Sequence, residues 1–364
     1  MNREQHKALS DLLMSFYTKY PLSQPADMLK LLYQNEFACG HIVSDTIHSL
    51  EQISAEAATL SAETEKCNFY EHIGNGLCRL YLRILQQSTL KPETLNQFLL
   101  YTARQPVGDA ANYIAKTQVL ARLCGEGKLP FKPAEILKTV TQAEAVGFPL
   151  FRHSEPYRQA YAPAYRVVDE KFCRFLPLFC RIDAVLAQKR HGTACVAIDG
   201  SSAAGKTTLA ALLQAIYDCN VISTDDFFLQ PFQRTPARLA EPGGFIDYER
   251  FDAEVIVPLR AGQPPAYRAF DCRNKTLSDI RQTVPKPLYV IEGAYSLRPQ
   301  ATDAYDIKVF LKLSAETQSR RVKARNPDMA EQFFNTWIPM ENRYFAHCDL
   351  ARRCDLVFDE EGEP

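Results

Sequence analysis

Cys195-Val-Ala-Ile-Asp199-Gly200-Ser-Ser-Ala-Ala-Gly205-Lys206-Thr207-Thr208 decides how the rest of the chain reads. An apolar run leads into G-x-x-x-x-G-K-[ST], a phosphate loop. Leu209, Leu212, Leu213 and Ile216 then fall on one helical face, so the order is strand, loop, helix. Gly200 and Gly205 let the backbone turn so that successive N–H groups point at a polyphosphate, and the new helix adds its positive end. Ser201, Ser202, Ala203 and Ala204 form the cradle between the glycines, and Thr208 carries it into the helix. Lys206 supplies a mobile charge for the β- and γ-phosphates, and the Thr207 hydroxyl is placed to ligate Mg²⁺. Nucleoside triphosphate binding is the expectation from these residues.

Beyond the loop, short β-rich runs alternate with longer segments: Val221–Thr224, Leu288–Glu292, Ile307–Leu313 and Asp355–Phe358. That alternation predicts an α/β domain with a mainly parallel sheet flanked by helices, whose ligands lie at the carboxyl ends of its strands. Asp225 stands at one such end, placed to take the proton of a hydroxyl attacking a γ-phosphate. Glu292 ends another, where a buried carboxylate needs a cation and a nucleotide site needs a group near Mg²⁺. Arg321 and Arg325, four residues apart on a helical stretch, are suited to closing over transferring phosphates.

Residues 1–165 read as helix after helix. Spacing of three and four marks Leu9 to Phe16, Met28 to Leu32 and Ile47 to Ile53, and further helices are predicted over 77–85, 92–103, 110–124 and 133–146. Pro92 and Pro133 fit first turns, and Gly125 and Gly147 fit helix ends. No period-two run stands out, so an all-α domain is expected, joined to residues 193–364 by a connecting helix within 166–192. Three polar, turn-rich clusters, Glu36–His41, Glu71–Arg79 and Arg152–Arg158, interrupt it. Convergence of His41, His72 and His153 on a second ligand or metal site is one reading; capped helix ends and buried hydrogen-bonded turns are the favoured one.

With 364 residues, 46% hydrophobic and 23% charged, the chain is of ordinary globular composition and long enough for two domains. A formal net charge of −1 gives no basic field, which argues against a nucleic-acid or membrane partner and for small substrates. The start lacks a signal-like apolar segment and no span-length apolar run follows, so a cytoplasmic location is expected. Eleven cysteines without a C-x-x-C pair read as reduced core thiols. A homo-oligomer is compatible with all of this.

The set Gly200–Thr208, Ser223-Thr-Asp225-Asp-Phe227-Phe, Pro265-Ala-Tyr267, Ile291-Glu292-Gly293 and Ser319-Arg-Arg-Val-Lys-Ala-Arg325 resembles the uridine kinase and phosphoribulokinase group of P-loop kinases, over about residues 193–360. The resemblance implies ATP and Mg²⁺, Asp225 as general base, Glu292 in the metal shell and an arginine-bearing lid. It also implies that Asp247 and Tyr267 contact the small-molecule hydroxyl acceptor, with Phe227 and Arg273 as further candidates on that side. The chain departs from the family at Arg268–Asn274, which lacks the usual histidine of uridine kinases, and at Ala324-Arg325, where Arg-Asp would fall. A small-molecule kinase acting on a nucleoside or related polyol is the leading expectation. An ATP-binding sensor whose helical domain carries the output is the alternative. A GTPase is disfavoured, because Asn274-Lys275-Thr-Leu277 lacks the aspartate of N-K-x-D.

Overall fold

The computed structural model describes residues 1–39, 45–60, 68–105, 108–189 and 192–359. The chain divides into two compact units, Met1–Leu176 and Pro177–Pro364. Among the described residues no helix is long and apolar enough to cross a membrane, and the described cysteines are free thiols.

The first unit is mainly helical: α1 (Arg3–Lys19), α2 (Pro25–Phe37), α3 (Thr46–Ala58), α4 (Pro92–Ala103), α5 (Ala110–Gly125) and α6 (Pro133–Ala145). Pro92 and Pro133 do occupy first-turn positions, where the missing N–H costs nothing. Leu9, Leu13 and Phe16 of α1 pack with Met28, Leu31 and Leu32 of α2 in its core. The unit is nevertheless not all-α. A three-stranded antiparallel sheet, β1 (Tyr70–Gly74), β2 (Leu77–Tyr81) and β3 (Tyr165–Asp169), replaces the helix expected over 77–85. Asn75 and Gly76, both at positive φ (56° and 70°), make the tight hairpin turn. Leu77, Cys78, Arg79 and Leu80 of the central strand are all buried, so the alternation that betrays a strand is missing.

The second unit opens on α7 (Leu176–Gln188) and is built on a five-stranded, all-parallel sheet: β4 (Ala194–Gly200), β5 (Cys219–Ser223), β8 (Leu288–Glu292), β9 (Ile307–Leu311) and β10 (Leu356–Phe358). The order is β10-β9-β4-β8-β5. Strand β4 is buried at every residue because β8 and β9 flank it and helices cover the sheet, which explains its unbroken apolar run. Helix α8 (Lys206–Ile216) buries Leu209, Leu212, Leu213 and Ile216, the predicted face. A separate antiparallel hairpin, β6 (Ala266–Asp271) and β7 (Thr276–Gln282), was not expected, and Asn274-Lys275 forms its turn. Two helices complete the frame, α9 (Ala315–Arg325) and α10 (Ile338–Cys348).

Candidate active site

Parallel pairing brings the carboxyl ends of β4, β5, β8 and β9 to one edge, and the phosphate loop leaves from the centre of it. Gly200 pairs with Leu311 across β4 and β9. Its φ of +145° is closed to other residues, and a Cβ there would lie 2.1 Å from the Leu311 carbonyl oxygen. Ser201 N–H donates to that same oxygen at 3.1 Å. Gly205 caps α8 at φ +94° with open space around it, so the backbone conformation, and not room, requires glycine. Lys206 Nζ folds back over the loop, donating to the carbonyls of Gly200 (2.7 Å) and Ser201 (3.1 Å).

Ser223 and Glu292 are register partners on β5 and β8. The Thr207 hydroxyl donates to Glu292 Oε2 at 3.2 Å, joining the loop to that strand end. Thr224 then opens a tight turn that presents Asp225, with Ser223 Oγ accepting the Asp225 N–H at 3.3 Å. Gly293 packs so closely on Thr224 that a Cβ would lie 2.1 Å from its hydroxyl oxygen. Both carboxyls sit above the usual carboxylate range. Burial is the main cause for Glu292; hydrogen bonds from Ser223 and Thr207 offset it, and the Asp225 charge adds to it. Asp225 is exposed at its own surface, yet the protein around it still raises its carboxyl by desolvation first; Lys206 opposes this and Asp226 reinforces it.

Beneath the loop, Asp199 is wholly buried. It accepts N–H groups of Gly200 (2.7 Å), Tyr295 (3.3 Å) and Leu297 (3.0 Å) and the Tyr344 hydroxyl (3.0 Å). Desolvation still pushes its carboxyl up to about 6. One turn before Tyr344 on α10, Glu341 accepts both the N–H (2.9 Å) and the hydroxyl of Ser202. Asp199 was named in the sequence without a role, and Glu341 and Tyr344 went unremarked. Asp199 was adjacent to the motif and legible in principle; Glu341 and Tyr344, some 140 positions away, carried no local signal.

Helix α9 docks on the loop through Gln318, which donates to the Ser202 carbonyl, and Arg321, which donates to the Ala203 carbonyl (each 3.2 Å). Arg325 is exposed one turn further on. Of the residues assigned to the acceptor side, Tyr267 is buried, and its hydroxyl feels the Asp226 carboxylate and the Arg281 guanidinium, which pair with each other at 3.0 Å. Phe227 faces the core against Phe251, with the Arg250 guanidinium 4.4 Å from its ring centroid. Asp247 caps the short helix Tyr248–Phe251 and accepts Gln233 Nε2 at 2.8 Å. Arg273 is exposed in the β6–β7 turn.

No protein-family model matches the chain, and no curated protein matches it. Solved structures do. A possible uridine kinase from Bacillus stearothermophilus is 24% identical over 50% of this chain and all of its own, with a TM-score of 0.38. A putative fructose transport system kinase from Silicibacter sp. TM1040 is 21% identical over 49% of this chain and 97% of its own, with a TM-score of 0.38. TT1252 from Thermus thermophilus is 18% identical over 47% and 90%, with a TM-score of 0.28. At these values the likeness carries no activity across.

Among the described residues no group of three or more His, Cys, Asp or Glu side chains is placed to hold a metal ion. The Thr207 hydroxyl and Glu292 carboxylate do fit Mg²⁺, which takes one or two protein oxygens and completes its shell with phosphate and water. Among the described residues His72 and His153 have separate partners. His41 lies outside the described residues. His153 is buried between Asp27 Oδ1 (2.8 Å) and the Tyr165 hydroxyl (2.6 Å), whereas His72 is exposed beside Cys78 (3.2 Å). The favoured reading, hydrogen-bonded turns, describes His153.

Proposed function

We propose that the second unit is a phosphotransferase that moves the γ-phosphate of ATP to a hydroxyl of a nucleoside or related polyol. The observation that carries this is the meeting of Asp225, Glu292, Thr207 and Lys206 at adjacent strand ends beside the phosphate loop. An accessible carboxylate at that strand end is suited to accept the proton of an attacking hydroxyl.

In this reading the loop amides from Ser202 onward hold the phosphates, and Lys206 leaves its two carbonyl partners for the β- and γ-oxygens. Thr207 and Glu292 hold Mg²⁺, which neutralises charge on the phosphate oxygens when bound. Asp225, raised toward the working pH by burial and by Asp226, accepts the proton of the attacking hydroxyl. Arg321, already seated against Ala203, is positioned to shield the transferring group, with Arg325 further out on the same helix. The acceptor lies against the β6–β7 hairpin, where Tyr267, Asp226 and Arg281 present hydroxyl, carboxylate and guanidinium groups suited to a polyol. Positioning and charge neutralisation supply most of the rate.

The test is to incubate the full chain with MgATP and nucleosides, ribulose 5-phosphate, pantothenate or glycerate, and to weigh the products. An acceptor gaining one phosphoryl group supports the reading. Nucleotide binding without a phosphorylated product from any of them favours an ATP-binding sensor instead.

A further inference from the structure

We infer that Glu341 is a resident anion of the phosphate loop, holding donors of Ser202 that an incoming polyphosphate must win, so that nucleotide binding displaces it and is coupled to helix α10. This rests on the reading that the loop binds a polyphosphate.

The contact has two points: Ser202 N–H meets Oε2 at 2.9 Å and the Ser202 hydroxyl meets Oε1. A phosphate would draw on the same kinds of donor. Glu341 is only 4% exposed, and its surroundings do not favour its charge. Lys206 attracts it, Asp225 repels it, and burial is the strongest influence of all. A triphosphate in the loop would bring further negative charge beside it. It would also draw away Lys206, the cation that helps to hold Glu341.

The helix is built to yield at one end. One turn after Glu341, Tyr344 is fixed by its buried hydrogen bond to Asp199 (3.0 Å). Before Glu341, the backbone forms a wide turn of π-helix over Phe333–Trp337, a form that is costly and concentrates at functional sites. Tyr344 is therefore the anchor and Ser202–Glu341 the releasable contact. Trp337, the only tryptophan in the chain, lies in that turn and packs edge-on against Phe333 (4.5 Å between centroids). It reports the motion without labelling.

Glu341→Gln separates charge from contact. Its amide oxygen accepts the Ser202 N–H and its amide nitrogen donates to Ser202 Oγ, so both links persist without the negative charge. Calorimetric titration of the full chain with MgADP should show the variant binding about tenfold more tightly than the wild type, within the usual range of coupling between sites. Saturating the wild type should shift Trp337 emission. Equal or weaker binding by Glu341→Gln, with wild-type binding intact, overturns the inference and leaves Glu341 a positioning residue; unchanged Trp337 emission at saturation overturns the displacement. If Glu341→Gln fails to fold, Glu341→Ala replaces it, and weaker binding by that variant overturns the inference equally. Absence of nucleotide binding by both wild type and variant overturns the polyphosphate reading and this inference together.

Discussion

Thr207 and Glu292 are 85 residues apart in the chain, yet the threonine hydroxyl meets the glutamate carboxylate at 3.2 Å. That pair joins the phosphate loop to the end of β8, and the proposed function puts Mg²⁺ there. Glu292→Gln keeps an oxygen in place but removes its charge. The Mg²⁺ concentration for half-maximal activity should rise at least about tenfold and turnover fall about a hundredfold, as for loss of one electrostatic group in an active site. Rates measured across a Mg²⁺ titration at fixed ATP check this. A profile unchanged from wild type removes Glu292 from the metal shell.

Asp225→Asn should lower turnover by about 10²–10⁴-fold, the range for a lost general base, with nucleotide affinity nearly intact. Because the Asp225 carboxyl sits above its ordinary range, the acid limb of the wild-type pH–rate profile should lie above that of a free aspartate. Asp226 is one source of that rise, so Asp226→Asn should move the limb to lower pH. A limb that does not move would show that some other group governs it.

Gly200→Ala forces a methyl group into the Leu311 carbonyl at a φ of +145°. It should cost about 2–4 kcal/mol, as backbone strain and overpacking combined. Gly205→Ala meets no neighbour within 4 Å and should cost only the left-handed backbone penalty, about 1–2 kcal/mol. Thermal melts of the two variants should therefore rank Gly200→Ala well below Gly205→Ala. Equal losses would mean that the close approach to β9 does not decide the residue.

His153 is depressed below its ordinary pKa of 6.5, first by burial and then by Arg79 and Lys30, with Asp27 opposing. The unfolded chain thus binds the proton more readily than the folded one. Stability contributed by the neutral ring is present above pH 6.5 and falls as pH drops through 6.5 toward the folded value. Melting temperature should decline between pH 7 and 5, and His153→Gln should flatten that decline. A slope unaffected by the substitution would place the acid sensitivity elsewhere.

The phosphate loop, the ends of β5 and β8 and the helices starting at Pro92 and Pro133 were legible because each is written within a few residues. Gly200 and Gly205 answer local backbone demands, and the prolines sit where a helix forgives a missing donor. The β1–β2 hairpin escaped notice although Asn75-Gly76 spelled its turn, since β2 is buried along nearly its whole length and loses its alternation. Arg79 there is fully buried, bonded to Gln34 and stacked between Phe16 and Tyr165, an environment no spacing rule anticipates for a charged residue.

The sequence by itself determined that a phosphate loop lies between a buried strand and a helix, and that carboxylates end the neighbouring strands. Those features follow from short-range sterics and the periodicity of burial. Only the tertiary structure decided which groups the site leaves accessible. It turned Phe227 into the core, engaged Asp247 in capping a helix, left Asp225 open and set Glu341 on the loop from about 140 residues away. The reason is physical: a side chain's charge and hydrogen-bonding capacity act on whatever lies within a few ångströms, and the folded chain alone chooses those neighbours.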